Sequence, residues 1–178
     1  MEGKIAILRG INVGGKRKIL MADLKTMFKE LGFPEVITYI QSGNVIFESN
    51  HENKKLAEQI ETAIHSVFGH DVPVIIISLG ELKKAIESNP FNTNEADINK
   101  LHLTFLKESP SIENLETVNS YNSQPDRFQI IEKNAFICIE GKYHESKLSN
   151  AFFEKKLKVG ATTRNWKTVV KLLELGRK

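Results

Sequence analysis

Apolar residues in the first 78 positions alternate between short continuous runs and helical spacing. Such runs, rich in β-branched and aromatic residues, are typical of strands, whereas apolar residues three or four positions apart are typical of amphipathic helices. The runs predict four strands, at residues 4–8, 36–40, 45–48 and 72–78. The spacing predicts two helices, whose apolar positions span residues 20–31 and 56–67; the second begins after Ser49 and ends at Gly69. The order β-α-β-β-α-β indicates a ferredoxin-like α/β plait, with four antiparallel strands and two helices on one face.

Two serines are predicted to begin helices in this half. Ser49-x-x-Glu52 and Ser78-x-x-Glu81 both fit the capping box. In that motif the serine oxygen accepts a hydrogen bond from a helix N–H group, and the glutamate reaches back to the cap. We therefore expect Ser49 to cap the second helix and Ser78 to cap a third helix, which ends before Pro90.

The second half resembles a degraded copy of the first. The pattern predicts a strand, a short helix, two hairpin strands and two helices, at residues 101–106, 111–120, 127–131, 135–140, 148–157 and 169–173. Ser146 is the expected cap of the first of the last two helices, and the final helix stands where a fourth strand would fall. The fold class is therefore α+β, a plait followed by a second plait-like unit.

A length of 178 residues allows either one large domain or two small ones. The polar, proline-led segment 90–99 predicts a linker or crossover between a plait at residues 1–89 and a second α+β unit with a C-terminal helix at residues 100–178. No apolar run approaches the ~20 residues that span a bilayer, and the N-terminus lacks the pattern of a signal peptide. A cytoplasmic location with no membrane partner is therefore expected.

The sequence contains no residues with the spacing typical of metal or cofactor ligands. The five histidines lack metal-ligand spacing, so no metal and no cofactor are expected. Cys138 lies in the apolar run Phe136-Ile137-Cys138-Ile139 and has no basic residue close in sequence. We interpret it as a small core residue rather than as a catalytic thiol.

Positive charge is concentrated in two stretches. Arg9, Lys16, Arg17 and Lys18 lie in a region without acidic residues, and residues 142–178 contain 10 basic and 3 acidic residues. A positive field attracts phosphates, nucleic acid or acidic partners. The alternative is a solvated surface that only keeps the protein soluble.

The loop Gly10-Ile11-Asn12-Val13-Gly14-Gly15-Lys16-Arg17 follows a strand and fits G-x-x-x-x-G-K. Glycines allow backbone N–H groups to converge on an anion, and lysine supplies charge. Arg17 replaces the Ser or Thr that would hold magnesium, and the helix begins only near Leu20, so its dipole is not expected to point at the loop. These features argue against a nucleotide hydrolase. The two remaining interpretations are an anion-binding loop and a loop whose glycines only allow a tight bend.

The segment Gln41-Ser42-Gly43-Asn44 is a good hairpin turn, because Gly and Asn tolerate positive φ. Ser42 and Asn44 could also offer polar groups to a ligand. A plait places this turn at the end of the sheet opposite the exit of the fourth strand, so contact with the first loop is not assumed.

The segment Thr162-Thr163-Arg164-Asn165-Trp166 is predicted to begin the final helix, with Thr162 or Thr163 as its cap. Arg164 would be a bidentate donor to phosphate or carboxylate. Trp166 either packs in the core or offers a ring on which a base can stack. Lys147 and His144 lie upstream and could join this group.

These segments together resemble a family. The matching stretches are Leu8-Arg9-Gly10-Ile11-Asn12-Val13-Gly14-Gly15-Lys16, Met21-x-x-Leu24, Thr38-Tyr39-Ile40-Gln41-Ser42-Gly43-Asn44-Val45, Ser146-Lys147-Leu148 and Thr163-Arg164-Asn165-Trp166-Lys167-Thr168-Val169. They are similar to the bacterial family called domain of unknown function 1697. The resemblance implies a cytosolic bacterial protein of α/β-plait architecture, and it implies no activity.

Three hypotheses for function follow. The first is a binding module in which a cleft between the two units holds a phosphorylated small molecule, a nucleotide or a nucleic-acid backbone. The second is an enzyme acting on a phosphorylated or acidic small molecule at the same cleft, with Lys147 or His144 as proton carrier. The third is a structural or protein-interaction role without a ligand. The candidate ligand-binding residues are Arg9, Asn12, Gly14, Gly15, Lys16, Arg17, Ser42, Asn44, Lys147, Thr163, Arg164, Asn165 and Trp166.

Overall fold

The computed structural model describes residues 1–178, and it divides into two compact units. Unit 1 comprises Met1–Lys83 and Lys171–Lys178, and unit 2 comprises Lys84–Val170. Each unit contains one four-stranded antiparallel sheet with helices. The predicted α+β fold with two plait-like units is confirmed.

Unit 1 follows the predicted order of elements. Its strands and helices are β1 (Glu2–Leu8), α1 (Met21–Glu30), β2 (Ile37–Tyr39), β3 (Asn44–Ser49), α2 (Asn53–Phe68) and β4 (Val74–Ser78). The helix α3 (Leu79–Glu87) runs from unit 1 into unit 2. The strand order is β2-β3-β1-β4, with every neighbouring pair antiparallel.

The core of unit 1 lies between its sheet and the two helices α1 and α2. Its centre includes three phenylalanine rings, Phe28, Phe33 and Phe47, with centroids 4.6–5.9 Å apart. The opposite face of the sheet is also buried, since Ile5 and Ile7 are 0% exposed. Nucleic-acid bases therefore cannot stack on this sheet in the manner of an RNA-recognition plait.

Unit 2 repeats the strand order of unit 1. Its elements are β5 (Leu101–Leu106), α4 (Ile112–Asn119), β6 (Arg127–Ile131), β7 (Asn134–Cys138), α5 (Asn150–Leu157), β8 (Ala161–Asn165) and α6 (Trp166–Gly176), the last of which continues into unit 1. The order β6-β7-β5-β8 corresponds, strand for strand, to that of unit 1. Apolar side chains from α4, α5 and one face of this sheet form its core.

The prediction that a helix replaces the fourth strand of unit 2 is wrong. Residues 161–165 form β8, which pairs antiparallel with β5, and Thr162 and Thr163 are strand residues rather than helix caps. Asn165 caps α6, since its Oδ1 accepts a hydrogen bond from the N–H of Thr168 at 2.9 Å. The segment Ala-Thr-Thr-Arg-Asn lacks an apolar run, so only pairing with a neighbouring strand distinguishes it from a helix start.

Two of the three predicted serine caps are wrong. The N-cap position of α2 is Glu52, while Ser49 Oγ accepts from the N–H of His51. The cap of α5 is Ser149, whose Oγ accepts from the N–H of Phe152 at 3.2 Å.

Ser146 instead donates to Asp126 Oδ2 at 2.6 Å, in the bend that precedes β6. The capping box of Ser78 and Glu81 is confirmed, with reciprocal hydrogen bonds of 2.7 and 3.1 Å. A serine therefore caps a helix only where no other partner takes its hydroxyl, whether that partner is local, as for Ser49, or distant in the chain, as for Ser146. No helix in the structure is long and apolar enough to cross a membrane.

Candidate functional site

The loop between β1 and α1 folds back on itself as a tight hairpin. Val13 and Lys16 pair as an isolated bridge, with the N–H of Lys16 donating to Val13 O at 3.0 Å. Gly14 and Gly15 between them have φ of 59° and 73°, the left-handed conformation that a type I′ turn requires at both central positions. These glycines therefore shape a bend that presents Lys16 and its neighbours to solvent. We call residues 9–18 the basic loop.

Asn12 holds the two ends of this loop together. Its Nδ2 donates to Ile19 O and to Gln41 O, both at 2.9 Å, and its Oδ1 accepts from the N–H of Ile19 at 2.9 Å. Both amide hydrogens are thus used within unit 1. Asn12 therefore positions the loop. To donate a hydrogen bond to a ligand, as predicted, its side chain would have to break one of these bonds.

The basic loop meets the β2–β3 turn, a contact that the sequence did not lead us to assume. β1 is antiparallel to β3, with Ile7 opposite Asn44, so the exit of β1 and the start of β3 share one end of the sheet. The N–H of Leu8 donates to Gly43 O at 2.9 Å. The Asn44 side chain is fully buried, and its Nδ2 donates to Tyr39 O and Ser42 Oγ. Asn44 therefore stabilises the turn.

Three cations extend from the basic loop into solvent. Lys16, Arg17 and Lys18 are exposed, and none of them forms an ion pair. Arg17 has φ of 47°, and its Nη1 lies 3.5 Å from the backbone oxygen of Arg9, which is half-buried. The positive charge of this surface is therefore not neutralised by neighbouring carboxylates.

A cavity of about 350 Å³ lies beside the basic loop and is confined to unit 1. Asn12, Gly15, Lys18, Leu20 and Asp23 are among the residues that line it. The helix α1 begins at Met21, and no side chain caps its first turn. The sequence led us to expect that the dipole of this helix does not point at the loop, and that expectation stays a prediction. The loop folds back so that Gly15 and the first turn of α1 border the same space.

The C-terminal candidate residues belong to unit 2, and three of them support the fold. The Thr163 hydroxyl bonds to Thr104 Oγ1 at 2.7 Å and donates to Asn150 Oδ1 at 2.6 Å. Asn165 caps α6, as described above. Trp166 is only 2% exposed, so of the two alternatives given for it the core position is confirmed, and its ring is not available for a base to stack on.

Arg164 is also buried, with 7% of its surface exposed. Its Nη1 donates to Thr162 Oγ1 at 3.2 Å and to Thr163 O at 3.0 Å. Burial of the guanidinium lowers the pKa of Arg164 to about 10, so it remains charged at neutral pH. Lys147 is exposed. The predicted cleft shared by these residues and the basic loop stays a prediction.

Comparison with known proteins identifies the family. The family model described as "Protein of unknown function (DUF1697)" matches residues 1–136. The chain belongs to this family. The solved structure titled "The structure of conserved bacterial protein SP0830 from Streptococcus pneumoniae" is similar at 26% identity and a TM-score of 0.80, covering 98% of each chain. A search of the curated proteins finds no match.

The basic loop and the β2–β3 turn both lie inside the part that matches DUF1697. In this DUF1697 protein their glycines and asparagines are accounted for by turns and hydrogen bonds within unit 1, whereas Lys16 and Lys18 form no ion pair that would explain their positions. Lys18 and Asp23 line the cavity and were not among the predicted site residues. The signal that could have pointed to them is Leu20, which cannot cap a helix and so leaves its first turn open.

His102, on β5 of this DUF1697 protein, stacks on Tyr143 with ring centroids 4.8 Å apart. Burial lowers the pKa of His102 below its ordinary value, because the charged imidazolium is poorly solvated there. His144, which was considered as a proton carrier, is exposed and lies 3.7 Å from Glu145.

The lowered pKa of His102 predicts a pH-dependent stability. Below about pH 6.5 the unfolded chain takes up a proton at His102 that the folded protein does not, so acidification favours unfolding, by at most about 1.4 kcal/mol per pH unit. Urea unfolding at about pH 7.5 and about pH 5.5 should therefore show a larger loss of stability for the native protein than for His102→Gln. Equal losses in the two proteins would show that His102 is not responsible.

Proposed function

We propose that unit 1 is a binding module for a phosphate-bearing ligand, whose phosphate lies in the cavity beside the basic loop. One observation carries the proposal: Gly15, Lys18 and the uncapped first turn of α1 border the same cavity. Free N–H groups and the positive end of the helix dipole favour an anion at this position. The ammonium group of Lys18 adds a formal positive charge to that field.

The surface around the cavity indicates what the rest of the ligand is like. Lys16 and Arg17 extend the positive charge beyond the cavity, and neither is neutralised by an ion pair. Val13 and Leu20 are 64% and 71% exposed, so apolar surface lies next to the cations. Charge combined with apolar area suits a nucleotide or a nucleic-acid strand, because the phosphates meet the cations and the faces of the bases can lie against aliphatic side chains. A cytoplasmic, bacterial setting would supply both ligands, and the bacterial origin of the similar solved structure supports it.

Binding is tested by fluorescence anisotropy with two probes, a labelled adenine nucleotide and a labelled single-stranded oligonucleotide. The variant Lys16→Gln/Arg17→Gln/Lys18→Gln should bind the preferred probe at least about tenfold more weakly at low salt, because three phosphate-directed charges are lost. For the oligonucleotide, the slope of log affinity against log salt should fall by about 2. Binding of the nucleotide alone would identify a small-molecule site, and binding of the oligonucleotide alone a nucleic-acid site.

The matched control is Lys29→Gln/Lys54→Gln/Lys167→Gln, which removes the same charge from exposed lysines without ion pairs. This control should change the affinity for the probe by less than about twofold, because the proposal depends on where the positive charge lies and not on the net charge of the protein. A second control is Asp23→Asn, which removes the carboxylate at the cavity and should strengthen binding about two- to fivefold. Equal weakening by both triple variants, or binding of neither probe, would refute the proposal.

A further inference from the structure

A second cavity lies within unit 2, at the end of the sheet where β5 begins. Its volume is about 300 Å³, and residues 90–97 contribute to its lining. Leu101, Cys138 and Arg127 occupy one rung across the neighbouring strands β5, β7 and β6, so their side chains project from the same face of the sheet. The segment predicted as a linker or crossover therefore borders a site of its own in unit 2.

Arg127 is the cation of this cavity that no carboxylate neutralises. Its Cζ lies 5.1 Å from the centroid of the Phe91 ring, and its Nη2 donates to the Sγ of Cys138 at 3.4 Å. It forms no ion pair. The aromatic ring and the thiol therefore orient the guanidinium, and its remaining N–H groups can bind a carboxylate in the bidentate manner that arginine favours.

The other charged groups of the cavity are distinguished by their partners. Lys100 is paired with Glu140 at 2.7 Å, and this hydrogen bond raises the pKa of Lys100. Asp97 accepts from the backbone and side-chain N–H groups of Asn99 at 3.0 Å. Glu95 is exposed and forms no ion pair. The cavity therefore offers one cation without a carboxylate partner, Arg127, and one carboxylate that forms neither an ion pair nor a hydrogen bond within the protein, Glu95.

The balance of charge selects the kind of ligand. The cavity is lined by two cations and three carboxylates, namely Lys100, Arg127, Glu95, Asp97 and Glu140. Because the carboxylates outnumber the cations, a multiply charged anion such as phosphate is disfavoured. Pro90 and Phe91 add apolar surface. A ligand that matches this lining carries one carboxylate, one ammonium group and a small apolar body. A volume of about 300 Å³ is at the lower end of small-molecule sites, which suits such a compound.

We propose that this cavity binds a small zwitterion of the α-amino acid class. The ligand carboxylate pairs with Arg127, the ammonium group is attracted by Glu95, and the ligand side chain lies against Pro90 and Phe91. This site is independent of the phosphate site proposed for unit 1, because it lies in unit 2 and uses different residues.

Isothermal titration calorimetry of the full chain tests the proposal, with the standard amino acids grouped in pools by side-chain type. One pool should bind, and its best member should bind at least about tenfold more tightly than the matched acid without the amino group or the matched amine without the carboxylate, because each charged hydrogen bond contributes a factor of this order. No binding at about 10 mM from any pool, or equal binding of the matched acid, would overturn the proposal.

Variants locate the site. Arg127→Gln and Glu95→Gln should each weaken binding at least about tenfold, whereas Lys133→Gln, which removes an exposed cation without an ion pair from the β6–β7 turn, should leave it unchanged. Glu95 is exposed, so its replacement keeps the test valid if Arg127→Gln impairs folding. Unchanged affinity in Glu95→Gln would contradict the assignment of the ammonium group.

Discussion

Replacing Gly43 by alanine is expected to lower the free energy of unfolding by about 3 kcal/mol. Gly43 has φ of +89°, and a Cβ atom there would lie 2.6 Å from Ile11 Cδ1 and 2.9 Å from Leu8 Cβ. The left-handed conformation costs an L-residue about 1–2 kcal/mol, and forcing an extra methyl group into a filled space costs about 1–3 kcal/mol. The two costs add because both arise in the same folded conformation.

Gly32→Ala is the matched control for this prediction. Gly32 has a similar φ of +85°, but no atom lies within 4 Å of the position of its Cβ. Its replacement should therefore cost only the conformational term, about 1–2 kcal/mol. Urea unfolding of both variants gives the difference directly. Equal losses in the two variants would show that the close approach of Gly43 to β1 and the basic loop contributes nothing to stability.

Gly43→Ala should also weaken ligand binding in unit 1, because Ile11 belongs to the basic loop and must move away from the new methyl group. Gly32→Ala should leave binding unchanged, since no basic-loop atom lies near the position of its Cβ. The anisotropy measurement used for the charge variants tests this under conditions where both variants remain folded. Equal affinities in the two variants would show that the turn does not position the loop for binding.

Replacing Phe47 by alanine is expected to lower the free energy of unfolding by about 4 kcal/mol. Phe47 is 0% exposed, and its ring centroid lies 5.3 Å from that of Phe28 and 4.6 Å from that of Phe33. Truncation removes the apolar area of the ring and two aromatic contacts, and it leaves a cavity between the sheet and α1 that the rigid β3 backbone cannot close.

Phe68→Ala provides the comparison for Phe47, because the chemistry is the same and only the burial differs. Phe68 ends α2 and is half-buried against the same core. Its truncation should cost less than half as much, since solvent already reaches the ring and fills the space that is left. A larger loss for Phe68 than for Phe47 would contradict the assignment of the Phe47 ring to the centre of the core.

Local patterns along the chain were sufficient to predict most of the fold. The alternation of apolar runs and helical spacing predicted the order of elements in unit 1, since each signal depends on residues within a few positions of one another. The capping box at Ser78 and the left-handed end of α2 at Gly69 were predictable for the same reason. The cluster of cations in the basic loop was visible from composition alone.

Features that depend on distant partners were not predictable from these patterns. β8 is recognisable only through its pairing with β5, which lies about sixty residues earlier in the chain. The hydroxyl of Ser146 is taken by Asp126, so its apparent role as a helix cap was misleading. Trp166 is a similar case. A tryptophan at a helix start can be a recognition residue or a core residue, and only its burial in the folded protein distinguishes the two roles.

The amino-acid sequence by itself determined the α+β class, the order of elements in unit 1 through its β-α-β-β-α-β pattern, and the positions of the clustered positive charge. Tertiary structure alone decided that Asn12 ties the basic loop to the β2–β3 turn, that α1 begins beside Gly15, and that Arg127 and Cys138 share a rung. The reason is physical: periodicity and charge are properties of neighbouring residues, whereas cavities and hydrogen-bond partners depend on strand register and on packing between segments far apart in the chain.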